Sequence, residues 1–223
     1  MPLTLAFLAL LPVSALVAAT YNPYAEFGNT NPSGVWTYGY ASTVGGAVTN
    51  FSDYFADPAP QANGQLAGWV TSGVDNFLGA YKSPAAGEIL LHPGPTGQYA
   101  VLRFTAPETA VFQIAGSFRG IDVATTDVQI LVNSLSAFTG SIAGQNDQEV
   151  FSASVALVTG QTIDFLVGFG SNGSYQQDAT GLTLAITSSP ATDVPEPRTT
   201  GMLALVALAM GMRRGRRCAS ENN

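Results

Sequence analysis

From Glu88 onward the chain alternates between apolar and polar positions. Within residues 110–118, Phe112, Ile114, Gly116 and Phe118 fall on one side, with Gln113, Ala115 and Ser117 on the other. Residues 127–132 repeat the pattern, with Val128, Ile130 and Val132 set against Asp127, Gln129 and Leu131. Phe151, Ala153, Val155 and Leu157 line one face of a third segment. Ile163, Phe165, Val167 and Phe169 do so in a fourth, and Leu182, Leu184 and Ile186 in a fifth. A period of two with one apolar face predicts antiparallel strands packed on one side. Turn chemistry separates the segments: Ala-Pro-Glu at 106–108, Thr-Gly-Gln at 159–161 and Ser-Asn-Gly-Ser at 171–174. Many short strands at such spacing predict an all-β antiparallel β-sandwich of jelly-roll type rather than a barrel. No helical period is visible between Thr20 and Asp193.

Residues 21–87 are less regular. They carry both tryptophans and most of the tyrosines. GVWTYGY at 34–40 and NFSDYF at 50–55 read as strands. This part is expected to complete the same sandwich with edge strands and long loops. As a separate domain, ~65 residues without cysteines would have a thin core.

The two ends read differently. MPLTLAFLALLPVSALVAAT is apolar and finishes in small residues. This predicts an export signal over residues 1–19, forming a short signal helix and cleaved after Ala19. Pro12 argues against a buried structural helix there, because it lacks an amide donor and clashes with the preceding turn. At the other end, residues 199–212 form a hydrophobic run of 14 residues. As a helix the run is roughly 21 Å long, against the ~30 Å of a bilayer core. Flanking arginines that snorkel would let it act as a membrane helix. Arg213, Arg214, Arg216 and Arg217 would resist crossing and hold residues 213–223 as a basic cytoplasmic tail. Pro195 and Pro197 keep the preceding segment extended, so residues 188–198 read as a linker and residues 20–187 as the sandwich domain.

Charge sharpens this division. The chain has 15 acidic and 8 basic residues, but five of the basic ones lie at or beyond Arg198. Residues 20–193 hold three basic side chains (Lys82, Arg103, Arg119) against thirteen acidic ones, a net charge of −10. A phosphate backbone would be repelled, so nucleic acid is excluded as a partner. Cys218 is the only cysteine, so no disulfide staples the body.

The order Val-Pro-Glu-Pro at 194–197, a hydrophobic run and a terminal arginine cluster resembles the PEP-CTERM sorting signal of Gram-negative bacteria. The resemblance covers about 30 residues and implies an address. Pro195, Glu196 and Pro197 would be the triplet read by a membrane-embedded exosortase, a cysteine transpeptidase-like processing enzyme. The protein would pass through an inner-membrane intermediate to the cell surface or extracellular matrix, where carriers of this signal meet exopolysaccharide. The phrases NPSGVWTYGY, LHPGPTGQYAVLRFTAPETA and SNGSYQQDATGLTLAI also resemble a jelly-roll module of secreted planctomycete proteins. That module is similar to carbohydrate-binding β-sandwiches, and the phrases span most of 31–187.

Catalytic chemistry finds little support. His92 is the single histidine and there is no G-x-S-x-G elbow, so a triad hydrolase is not expected. His92 beside a Pro-Gly turn reads as structural, and zinc lacks ligands. Scattered carboxylates leave glycoside hydrolysis formally open, with solvated turn residues as the plainer reading. No cofactor is expected except Ca²⁺, for which Asp122, Asp127, Asn172 and Asp178 stand in oxygen-rich loops. The same residue types also bond their own turns. Trp36, Tyr38, Trp69 and Tyr175 are the candidate ligand-binding residues, because sugar rings stack on flat aromatic faces. The alternative places Trp36 and Trp69 in the core. Arg103, polar in an apolar strand, is expected to pair with a carboxylate across the sheet. The overall expectation is a non-catalytic, exported β-sandwich that binds polysaccharide, or else a structural matrix component acting through protein contacts.

Overall fold

The structure, a computed structural model, describes residues 18–56, 66–73, 75–83 and 87–190. The expected signal up to residue 17, the Pro195-Glu196-Pro197 triplet, the run 199–212 and the arginine cluster lie outside the described residues. Among the described residues no helix is long and apolar enough to cross a membrane.

Fourteen strands follow in chain order: β1 (Thr20–Tyr21), β2 (Trp36–Ala41), β3 (Thr49–Asn50), β4 (Asp53–Phe55), β5 (Gly68–Thr71), β6 (Asp75–Ser83) and β7 (Glu88–His92), then β8 (Tyr99–Thr105), β9 (Ala110–Gly120), β10 (Asp127–Val132), β11 (Leu135–Ser141), β12 (Gln148–Leu157), β13 (Thr162–Gly168) and β14 (Thr180–Pro190). Every pairing is antiparallel. One sheet runs β12-β9-β14-β7-β6-β5-β4 with β1 also on β14; the other runs β11-β10-β13-β8-β2-β3. If β7 to β14 are counted as strands one to eight, the two sheets read 6-3-8-1 and 5-4-7-2. That is the double Greek key of a jelly roll. The earlier strands extend both sheets at the same side, β6-β5-β4 beyond β7 and β2-β3 beyond β8. The strands β1 to β6 are therefore part of the same two sheets.

The alternation seen in sequence is what the core uses. Phe112, Ile114 and Phe118 of β9, Ile163, Phe165 and Val167 of β13, and Leu182, Leu184 and Ile186 of β14 are buried between the sheets. Aromatic rings link the layers: Phe104 of β8 meets Phe112 of β9 at 5.4 Å, with Trp36 beside Phe104 in its own sheet at 5.3 Å. A separate cluster of Ala41, Val101, Leu131 and Leu166 lies on the outer face of the second sheet. The β2–β3 loop lies across it, with Val48 packed on the cluster and Gly45 against the Ser134 carbonyl.

The strand assigned to β14 runs to Pro190 rather than stopping before a linker at 188. Ser188 and Ser189 stay in register with Phe112 and Val111. Buried Ser188 also exchanges hydrogen bonds with Ala19, the Ala19 amide donating to its Oγ and its own amide donating to the Ala19 carbonyl. The small polar residues looked like linker, but they serve a long-range pairing that no local pattern encodes.

Each outer face carries one arginine–carboxylate pair. Arg103 donates from Nε and Nη2 to the two Asp164 carboxylate oxygens at 2.6 and 2.8 Å, the cross-sheet partner expected for it. Arg119 holds Glu88 bidentately at 2.9 and 2.8 Å across β14. Gly181 makes that crossing possible, because a Cβ there would sit 2.5 Å from Glu88 Oε2. Asp164 is 3% exposed. Replacing Arg103→Met strands a buried carboxylate and is expected to cost about 3 kcal/mol in urea denaturation, with most of that recovered in the double variant R103M/D164L.

Candidate functional site

The strands deliver two loops and the end of β7 to one end of the sandwich. The β9–β10 loop carries Asp122, the β13–β14 loop carries Tyr175, Gln176 and Gln177, and β7 ends there at His92. Together with Phe77 of β6, these six residues line an open cleft of about 470 Å³. Register explains the meeting: His92 lies opposite Gly79, two residues beyond Phe77, and Leu91 lies opposite Thr180 at the start of β14. Glu88 and Leu90 lie on the outer face of the sheet, and His92 continues that row.

Three rings form one wall. His92 lies 5.7 Å from Phe77 and 6.1 Å from Tyr175, and Phe77 and Tyr175 are 6.4 Å apart. The two contacts of Tyr175 are edge-on. Phe77 is 42% exposed, a large ring for solvent to touch. His92 Nδ1 lies 2.9 Å from the Pro93 carbonyl oxygen, a hydrogen bond when that nitrogen carries the proton. Its expected structural role is therefore combined with a place in the cleft wall. The opposite chemistry comes from the Gln176 and Gln177 amides and the Asp122 carboxylate. Gln177 adopts a left-handed backbone, φ 65°. The turn before it is held by Ser174, whose amide donates to Asn172 Oδ1.

The other three candidate residues belong elsewhere. Trp36 and Tyr38 are fully buried and Trp69 nearly so. Their alternating positions on β2 and β5 point between the sheets, where Tyr38 and Trp69 stack at 6.5 Å and 8°. The two indole nitrogens are engaged internally: Trp36 Nε1 donates to Glu26 Oε2 and Trp69 Nε1 to the Gly28 carbonyl, both at 3.0 Å. Burial, and then the Glu26 charge, push the Tyr38 phenol pKa up. These rings offer no face to a sugar, which corrects Trp36, Tyr38 and Trp69 from binding platform to core. Tyr175 alone of the four reaches a cleft. Phe77, Gln176 and Gln177 were missed; the signal for the last two was the Tyr-Gln-Gln-Asp sequence between a Ser-Asn-Gly-Ser turn and a strand.

The four oxygen-bearing residues considered for calcium also separate. Asp122 faces the cleft, and Asn172 caps its own turn. Asp127 Oδ1 accepts from the Gly170 amide and Asp178 Oδ1 from the Thr125 amide. Among the described residues no group of three or more His, Cys, Asp or Glu is placed to hold a metal.

No protein-family model matches the sequence, and no curated protein matches it. Among solved structures the chain is similar to the module CBM51 from Clostridium perfringens GH95, solved in complex with methyl-galactose. That match has 12% identity and a TM-score of 0.35 over 76% of this chain and 99% of the other. It is similar to a family 29 carbohydrate-binding module at 11% identity and TM-score 0.33, over 73% of this chain and 98% of that one. It is also similar to the GH26-CBM35 β-(1,4)-mannanase of Podospora anserina at 12% identity and TM-score 0.33, over 81% of this chain and 29% of the enzyme.

Core and rim are distinguishable by stability. Trp69→Ala is expected to cost about 3–5 kcal/mol, as other large aromatic truncations in cores do. Tyr175→Ala should change unfolding free energy by less than about 1 kcal/mol. Chemical denaturation of the two variants beside the parent measures both.

Proposed function

We propose that this protein is an exported cell-surface or matrix component whose β-sandwich binds polysaccharide, without catalysis, in the cleft between Phe77, Tyr175 and Asp122. The observation that supports this reading is the lining. An exposed ring and the edges of two others present apolar surface to the C–H face of a sugar. Two primary amides and one carboxylate supply donors and acceptors for hydroxyls. The size falls within the ~300–1,000 Å³ usual for small-ligand sites. Hydrolysis of a glycoside uses a pair of carboxylates flanking the bond, and this cleft contributes one.

Charge selects among glycans. A body with a net charge of −10 repels polyanions, so neutral polysaccharide is the expected ligand. Full-length protein tested by calorimetry against neutral and anionic polysaccharides should bind a neutral one. Tyr175→Ala should weaken that binding about tenfold or more with an unchanged melting temperature. Silence across the panel would sink the reading. It would leave the alternative of a structural matrix component, for which the exposed Leu135 and Val150 on the sheet edges are the specific observation.

Export and sorting form the second half of the proposal and rest on the two termini of the sequence. The first strand of the described body begins at Thr20, so cleavage after Ala19 leaves β1 in place and removes the two Ala19–Ser188 hydrogen bonds. Intact mass spectrometry of protein from envelope and medium should find an N-terminus at Thr20 and a C-terminus between Val194 and Pro197. A full-length tail in every fraction would refute exosortase-type processing.

A further inference from the structure

Among the described residues Asp122 is the single carboxylate lining the cleft, and no lysine or arginine joins it there. Asp122 is half-buried, and no hydrogen bond or ion pair from the described residues engages its carboxylate. Residues 20–193 have no basic side chain to spare for it. Arg103 is committed to Asp164, Arg119 to Glu88, and Lys82 sits 4.7 Å over the Tyr24 ring.

The backbone beside Asp122 is fixed from two sides. The Ile121 amide donates to the Ala179 carbonyl at 3.0 Å, and the Ile121 carbonyl accepts from Gln145 Nε2 at 3.0 Å. Across the cleft, the turn leading to the glutamines is held by the Ser174 amide on Asn172 Oδ1 and by the Gln176 amide on Ser174 Oγ. Little ordering is left for a ligand to impose on these loops.

The remaining lining complements a positive group. Gln176 and Gln177 are exposed, and each carries an amide oxygen that accepts hydrogen bonds. A protonated primary amine has three donors and no acceptor. One carboxylate and two amide oxygens match that inventory. The exposed Phe77 ring adds a face that attracts a cation. The net charge of −10 on residues 20–193 draws positive ligands toward the body. A neutral sugar satisfies the rings and the amides but leaves the Asp122 charge unanswered.

We propose, resting on the glycan reading of this cleft, that its preferred ligand is an amino sugar with a free, protonated amine seated against Asp122 and the two glutamines. An N-acetyl group at the same position has one donor in place of three and no charge. The cleft therefore separates the free from the acetylated form of one sugar. Hydrogen bonds to an ionised partner are about twice as strong as neutral ones, and a roughly tenfold preference is expected from such a contact in a half-open site.

The test is calorimetry on full-length protein at about pH 7 and low salt. The probes are two matched pairs, glucosamine with N-acetylglucosamine and galactosamine with N-acetylgalactosamine. In at least one pair the free amine should bind about tenfold more tightly. Asp122→Asn should bring that ratio to about one while melting with the parent. Glu108→Gln removes an equal charge from the β8–β9 loop, next to Ala110 and so at the Pro190 end of β14, and should keep the ratio. Equal affinities within both pairs would overturn the inference. So would a preference that survives in D122N, or one that falls as far in E108Q, which would make it general charge attraction. Silence from all four sugars at about 10 mM would overturn it as well. A neutral polysaccharide that still bound would then leave the glycan reading standing, whereas silence there too would remove both.

Discussion

The sandwich depends on a layer of aromatic rings between its sheets. Trp36 and Phe104 come from one sheet and Phe112 from the other, and Tyr21 of β1 closes on Phe104 at 5.3 Å. A second group places Phe151 between Phe118 and Phe165. Without a disulfide in the body, this packing and the aliphatic residues around it are what oppose the conformational entropy of some 170 residues. The rings most conspicuous in the sequence are therefore consumed by the core. The cleft is lined by less conspicuous residues, Phe77, Tyr175 and two glutamines among them.

Charge follows a related logic. With three basic side chains in the body, two carboxylates can have an arginine, and those are the two most buried on the outer sheet faces, Glu88 and Asp164. Each pair bridges neighbouring or next-neighbouring strands, so it helps fix register as well as cancelling charge. Among the described residues the other acids sit on loops and faces where water solvates them, with Asp178 as the buried departure. An unbalanced buried carboxylate at a loop junction is a local inconsistency of the kind that functional or ligand-stabilised positions carry.

Much of the fold was legible because β9, β10 and β14 largely alternate buried positions with more open ones. β7 was harder: all five of its residues are buried, so Glu88–His92 shows no alternation. β11 failed in the opposite direction, with only Phe138 turned to the core among small polar residues. The site was less legible still. Phe77 and Tyr175 are 98 positions apart, and only the jelly-roll register, which places β6, β7 and β14 side by side, brings their rings together. Trp69 misled because the composition around it concealed β5, whose inner position it fills, whereas Trp36 lay in a segment already read as a strand.

Topology also orients the cleft. β14 starts at Thr180, beside His92 and the cleft loops, and runs for eleven residues to Pro190. At ~3.3 Å per residue, the point where the chain leaves the body is about 33 Å from the cleft end. β1 lies along that far half of β14, with Thr20 opposite Thr187, so the body also begins there. Entry and exit thus share one end of the sandwich, and Asp122, Tyr175 and the glutamines occupy the other.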